Sequence, residues 1–287
     1  MDTRGLSPTA VRRDLGLKLR GLRTQAGLTI AEVAEEIGFS TSKITKVEKA
    51  QLAAGRGDVL NMLRLYGVDD PEQREHLLAM VRDGKRKDWW ESYDDLPARF
   101  GEYLGLETTA STLHAYNTHL VHGLLQTPDY ARALLHAVCP EKFPDEIEQQ
   151  VEIRMRRQEF LTTREPQPLT LCALMDEAVL RRPIGGRETM RAQIQHLISQ
   201  NERPNVDVLV LPDELGAHAG LIGPFMILQF DAGERPVIFV ESQAGNLYLE
   251  NKDNLRRCQQ TLTHLLAIAP DAEASAATMD RIAKEMT

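Results

Sequence analysis

Little in this chain points to a secreted, membrane-spanning or metal-clipped protein. Three cysteines, Cys139, Cys172 and Cys258, lie far apart with no Cys-x-x-Cys pair, so neither a zinc clip nor a dithiol redox centre is available. They read as buried thiols of a reducing cytosol. No run approaches the ~18 apolar residues that a membrane span needs, and the opening residues, Met1 to Gly5, lack the apolar core of a secretory signal. No repeat or low-complexity segment is evident. What remains is an ordinary folding composition, 42% apolar and 26% charged, which disfavours a disordered chain. At 287 residues there is room for two domains. The expectation is a soluble cytoplasmic protein without a membrane partner.

The formal net charge of −8 hides a division. Residues 1–68 hold eleven Lys/Arg against seven Asp/Glu, a balance of +4, and the remainder holds 23 against 35, a balance of −12. A basic head on an acidic body is the asymmetry expected when one end meets a polyanion. A balance of +4 is also within chance, so the residues themselves must decide.

Leu15, Leu19, Leu22 and Ala26 recur at helical intervals, and Gly27 stops that helix. Thr29 caps a second helix with Val33, Ala34 and Ile37 on one face, closed by Gly38. Ser40 caps a third, with Ile44 and Val47 facing inward. Small Ala34 allows two helices to cross closely, and Gly38 supplies the left-handed turn between them. This spacing is that of a helix-turn-helix. The outer face of the third helix carries Thr41, Ser42, Lys43, Thr45 and Lys46, suited to base edges and phosphates in a major groove. The bland alternative, any small bundle with glycine turns, does not call for a polar outer face.

The run LRGLRTQAGLTIAEVAEEIGFSTSKITKVEKA resembles the XRE-type (lambda-repressor-like) helix-turn-helix regulators from end to end. The resemblance implies binding to double-stranded DNA and a structural ion pair between Arg23 and Glu48. The family often carries Gln where this chain has Ile30, so phosphate contact is expected to lean on Lys43, Lys46, Lys49 and Arg56. The candidate DNA-contacting set is Thr29, Ser40, Thr41, Ser42, Lys43, Thr45, Lys46, Lys49 and Arg56.

A fourth helix from Asp58 to Tyr66 and a fifth opened by Asp70-Pro71-Glu72 complete the bundle, with Val59, Leu63, Leu77 and Val81 as core. The charged stretch 82–88 reads as an exposed basic linker, with a secondary reading as a track along a phosphate backbone. Trp89 and Trp90 then anchor a domain edge. The expected division is 1–82 helix-turn-helix domain, 83–88 linker, 89–269 regulatory domain and 270–287 helical tail.

Beyond the linker the pattern becomes α+β. Helices are expected over 98–116, 128–138, 145–163, 177–181, 187–201 and 253–268, and strands over 169–174, 206–211, 225–230, 237–241 and 246–250. The last three strands suggest an antiparallel meander in a mainly antiparallel sheet, covered largely on one face. The segments DWWESYDDLPARFGEYLGLETTAS, GLLQTPDYARALL, RMRRQEFL, DEAVLRRPIGG, QIQHLI, PNVDVLVLP and GPFMILQF follow in order, and resemble the C-terminal domain of actinobacterial antitoxin-like regulators related to WhiJ. With the N-terminal match the resemblance covers residues 11–269. It implies a regulator encoded near a small partner protein. His122 stands where that group usually has Pro.

His114, His119 and His122 raise the question of a metal, but no carboxylate completes a triad and structural roles are favoured. Arg154, Arg157 and Glu177 are expected either to form an interior ion-pair network or to hold a ligand or partner. Gly185-Gly186 lacks the companions of a phosphate loop. Ser242 and Ser275 sit in no nucleophile elbow, so neither an enzyme nor a cofactor is expected. The stripe Met279, Ile282, Ala283, Met286 either docks on its own chain or grips another subunit. Taken together, the residues point to a DNA-binding, nucleoid-associated regulator acting as a homodimer. The rivals are an antitoxin that mainly sequesters a small partner, and a small-molecule sensor.

Overall fold

A computed structural model describes residues 8–93, 98–164, 167–231, 235–242, 245–249 and 251–286. Two compact units divide the chain, Met1–Thr109 and Ala110–Thr287.

The first unit is helical: α1 (Pro8–Gln25), α2 (Ile30–Glu36), α3 (Thr41–Glu48), α4 (Arg56–Leu65), α5 (Pro71–Asp83), a 3-10 turn at Trp89–Ser92, and α6 (Ala98–Thr109). Leu15 and Leu19 of α1, Val33 and Ala34 of α2, Ile44 and Val47 of α3, Val59 and Leu63 of α4, and Leu77 and Val81 of α5 are all buried in one core. Asp70 caps α5 by accepting from the Glu72 and Gln73 N–H groups, both at 3.2 Å, with Pro71 at the first helical position.

The expected linker is only partly one. Lys85, Arg86 and Lys87 are exposed, but Gly84 and Asp88 are buried. Asp88 accepts from the Thr9 N–H and from Arg12 Nη2, each at 3.1 Å, tying the end of the basic run to α1. Trp90 is buried beside Gly101 of α6, and α6 packs on α1. The unit therefore extends to Thr109 rather than ending at residue 82. The reason is a tertiary one: the acid within the basic run has its partners on α1.

The second unit carries β1 (Thr112–Asn117), α7 (Pro128–Val138), α8 (Pro144–Arg157), β2 (Thr170–Asp176), α9 (Glu177–Arg181), α10 (Arg187–Gln200), β3 (Val206–Leu211), β4 (Phe225–Gln229), β5 (Val237–Val240), β6 (Leu247–Leu249), α11 (Lys252–Ile268) and α12 (Ala272–Glu285). Its sheet has the order β3-β2-β1-β4-β5-β6. β1, β2 and β3 are parallel, and β1–β4, β4–β5 and β5–β6 are antiparallel, so the C-terminal meander is joined to a parallel half. Residue 250, expected to end β6, lies outside the described residues.

The helix expected over 98–116 ends at Thr109, and its last part is instead the strand β1. This strand is paired on both sides, Leu113 opposite Leu171 of β2 and Leu228 of β4. The sheet is also covered on both faces at its centre. Tyr116, Leu174 and Ile227 face Leu262 and Leu265 of α11, while the alternate positions Leu113, Ala115, Ala173 and Val208 are equally buried. α10 and α12 pack on each other and on β3. The C-terminal stripe docks on its own chain, with Met279, Ile282 and Ala283 buried and the Ser275 hydroxyl accepting from the Val210 N–H at 3.1 Å.

Candidate nucleic-acid interface

α2 and α3 are set by their caps. The Thr29 hydroxyl accepts from the Glu32 N–H at 3.2 Å, and the Glu32 carboxylate accepts from the Thr29 N–H at 2.7 Å, a reciprocal capping box. Donation from the Thr29 N–H, and then from its hydroxyl at 2.8 Å, holds the Glu32 carboxyl below its usual pKa. Gly38 takes the turn at φ +70° and Ser40 caps α3 by accepting from the Lys43 N–H at 3.1 Å. Ile30, standing where the resembled family often has Gln, packs against the core.

α3 is pinned from behind. Ile44 and Val47 are buried, and Arg23 of α1 clasps Glu48 with Nε–Oε1 at 2.6 Å and Nη2–Oε2 at 3.1 Å. The same guanidinium donates to the Leu28 carbonyl at 2.8 Å. Hydrogen bonding to Glu48 raises the Arg23 pKa, against the effect of burial. Gly16 permits the close approach, because a Cβ there would stand 2.6 Å from the Glu48 carbonyl oxygen.

The opposite face of α3 is open. Thr41, Ser42, Lys46 and Lys49 are exposed, as is Arg56 at the start of α4. Their side chains make no hydrogen bond or ion pair among the described residues. The other candidates are engaged within the unit. Lys43 Nζ lies 2.8 Å from Asp58 Oδ2 and 3.5 Å from the centre of the Phe39 ring. Thr45 donates its hydroxyl to the Thr41 carbonyl at 2.8 Å, and Thr29 and Ser40 serve as caps. Sequence reasoning missed Asp58 as the counter-ion of Lys43 and missed exposed Gln51, which follows α3. Fifteen positions separate Lys43 from Asp58, and no local pattern signals that pairing.

In the second unit the expected network of Arg154, Arg157 and Glu177 is not what forms. Glu177 Oε1 accepts from Arg281 Nη2 at 3.2 Å and from Arg181 of its own helix, and Oε2 accepts from the Asp213 N–H at 3.4 Å. Burial opposes the charge on Glu177, but these donors together hold its carboxyl below the usual range. Arg154 donates instead to Gln126 Oε1 at 2.8 Å, and Arg157 is buried beside Gly123. The docked α12 brings Arg281 to Glu177, which the sequence alone does not disclose.

The three histidines have separate surroundings. His114 faces Cys172 and Ile227 across the sheet, the His119 ring shares a 2.6 Å hydrogen bond with Thr118, and buried His122 accepts from the Leu124 N–H at 3.3 Å. Among the described residues no helix is long and apolar enough to cross a membrane.

Comparison with known families finds two models along the chain, the second beginning within α6 of the first unit. A family model described as a helix-turn-helix domain matches residues 14–77, and one described as a domain of unknown function (DUF5753) matches residues 100–281. No curated protein and no solved structure matches the chain.

Proposed function

The chain belongs to the family of the domain of unknown function DUF5753, and from that premise and its helix-turn-helix domain we propose that it is a sequence-specific DNA-binding transcriptional regulator. One observation carries this reading: α3 is held from behind by Ile44, Val47 and the Arg23–Glu48 pair while its front face stays open. α3 enters the major groove. Thr41, Ser42 and Thr45 address base edges, and Lys46, Lys49 and Arg56 neutralise phosphates. Thr29 and Ser40 present helix N-termini to the backbone. Lys43 joins them when it exchanges Asp58 for a phosphate.

The regulator acts as a cytoplasmic homodimer reading two half-sites about 34 Å apart, one helical turn. Its larger unit recognises a small partner protein, as in the antitoxin-like regulators that it resembles, and carries out no catalysis. Lys46→Ala combined with Lys49→Ala tests the DNA reading: each lost phosphate contact flattens the log–log salt slope by ~0.9. An unchanged slope would place the contact surface elsewhere.

The neutralised Lys43 and the exposed acids Glu32, Glu35 and Glu36 on α2 favour a second reading, in which partner sequestration is the main task and DNA contact serves autoregulation. Co-purification from the native host separates the two. Absence of a stoichiometric small protein would count against sequestration.

A further inference from the structure

Several arginines among the described residues are matched by carboxylates: Arg12 by Asp88, Arg23 by Glu48, and Arg181 by Glu177. Arg154 on α8 is matched by none of them. Arg154 is half-buried, and its one hydrogen bond among the described residues goes to a neutral group, Gln126 Oε1 at 2.8 Å. It forms no ion pair with any described carboxylate. A guanidinium carries five N–H donors, so most of its capacity is unspent.

The surroundings add cost. Arg157, three residues along the same helix, places a second guanidinium beside it. Burial, and then repulsion from Arg157, lower the Arg154 pKa to about 10. Glu241 is the acid whose charge is felt there, and it stands beyond ion-pairing distance. A half-buried cation set beside a second one is stabilised when something supplies the counter-charge.

The frame around Arg154 is built to keep it in place. Gln126 is buried, and its amide donates to the Val121 carbonyl at 2.7 Å, which turns its Oε1 toward Arg154. Gln158 holds the Gln126 carbonyl at 2.6 Å, and Gln193 holds the turn from both sides, accepting from the Thr127 N–H and donating to the Leu125 carbonyl, each at 2.7 Å. Three glutamines thus fix the wall while the guanidinium is left with donors to spare. Flexible surface arginines are not held in this way.

We propose that Arg154, oriented by Gln126 and flanked by Arg157, is the receptor for the oxyanion group, carboxylate or phosphate, of a small ligand. The planar fork suits both groups, offering two parallel charge-assisted bonds. This site is independent of the DNA-binding reading, because nothing in it draws on α3.

The test uses the full chain. Thermal unfolding and isothermal titration are followed with inorganic phosphate and, separately, with succinate, against sodium chloride of matched ionic strength. One of the two anions raises the melting temperature saturably, by roughly 5 °C at a hundredfold excess over Kd, and sodium chloride does not. Arg154→Gln abolishes the response. In anion-poor buffer it melts no lower than the native chain, because it removes a stranded charge and keeps an amide for Gln126. Arg156→Gln, on the exposed side of α8, retains the response. The proposal is overturned if neither anion acts, if sodium chloride acts equally, or if the response survives in Arg154→Gln. A large loss of stability in anion-poor Arg154→Gln would also overturn it, showing the charge to be compensated within the chain.

Discussion

Replacing Glu48 by Ala tests how α3 is held. The side chains of Arg23 and Glu48 are 11% and 5% exposed, and two N–O contacts at 2.6 and 3.1 Å join them. Solvent screening is slight at that depth. Removing the carboxylate leaves Arg23 with the Leu28 carbonyl as its remaining acceptor among these contacts. Orphaning one member of a buried pair costs about 3–5 kcal/mol, a large part of the ~5–15 kcal/mol that stabilises a domain. At roughly 4–8 °C per kcal/mol for a unit of this size, the melting temperature should fall by at least ~12 °C. Both tryptophans, Trp89 and Trp90, lie in the first unit, so fluorescence-detected urea unfolding reports that unit alone. The double variant Arg23→Met with Glu48→Leu should recover most of the loss. It strands no charge, although Leu28 forfeits a donor worth about 1 kcal/mol. A loss below ~1 kcal/mol for Glu48→Ala, or a double variant as unstable as the sum of the singles, would refute this account of the buried pair.

Three further expectations follow from particular contacts. Asp58→Asn frees Lys43 from its 2.8 Å ion pair and should tighten DNA binding while steepening the salt slope by up to ~0.9, measured by fluorescence anisotropy; unchanged binding would show that Lys43 does not reach phosphate. Gly16→Ala places a Cβ 2.6 Å from the Glu48 carbonyl oxygen and should cost about 1–3 kcal/mol in the same urea assay, the expense of forcing α1 and α3 apart. Burial holds His114 and His196 below their ordinary pKa of 6.5, and His114 Nδ1 and His196 Nε2 lack hydrogen-bond partners among the described residues. Near pH 6.5 the unfolded chain takes up protons that the folded chain refuses. Stability of the second unit should therefore decline as pH falls through 6.5 toward the lowered folded-state values, and His196→Gln should flatten that decline. Circular dichroism at a series of pH values checks it, and an equally steep profile in the variant would rule this histidine out.

Legibility in the sequence followed the range of the interactions involved. α2 and α3 were readable because their signals are local: a cap at Thr29, a turn at Gly38, a cap at Ser40, and apolar residues at helical spacing. The Arg23–Glu48 pair came through resemblance, since the two residues are 25 positions apart. β1 was missed because Leu, Ala and Tyr continue a helical pattern acceptably. Pairing with β2 and β4, whose residues lie far along the chain, makes it a strand. That the first unit runs on past residue 82 is hidden for a similar reason, because a run rich in Lys and Arg conceals that Asp88 belongs to Arg12.

By itself, then, the sequence determined the helix-turn-helix, the strands of the meander and the polar outer face of α3. Each depends on neighbours within a few residues and on a period of 3.6 or 2. Only the tertiary structure decided which charges are matched. It gave Asp58 to Lys43, Arg281 to Glu177 and a neutral amide to Arg154. The physical reason is that a charge finds its partner by distance in space. A linear pattern lists the charged residues, and the fold decides which of them meet.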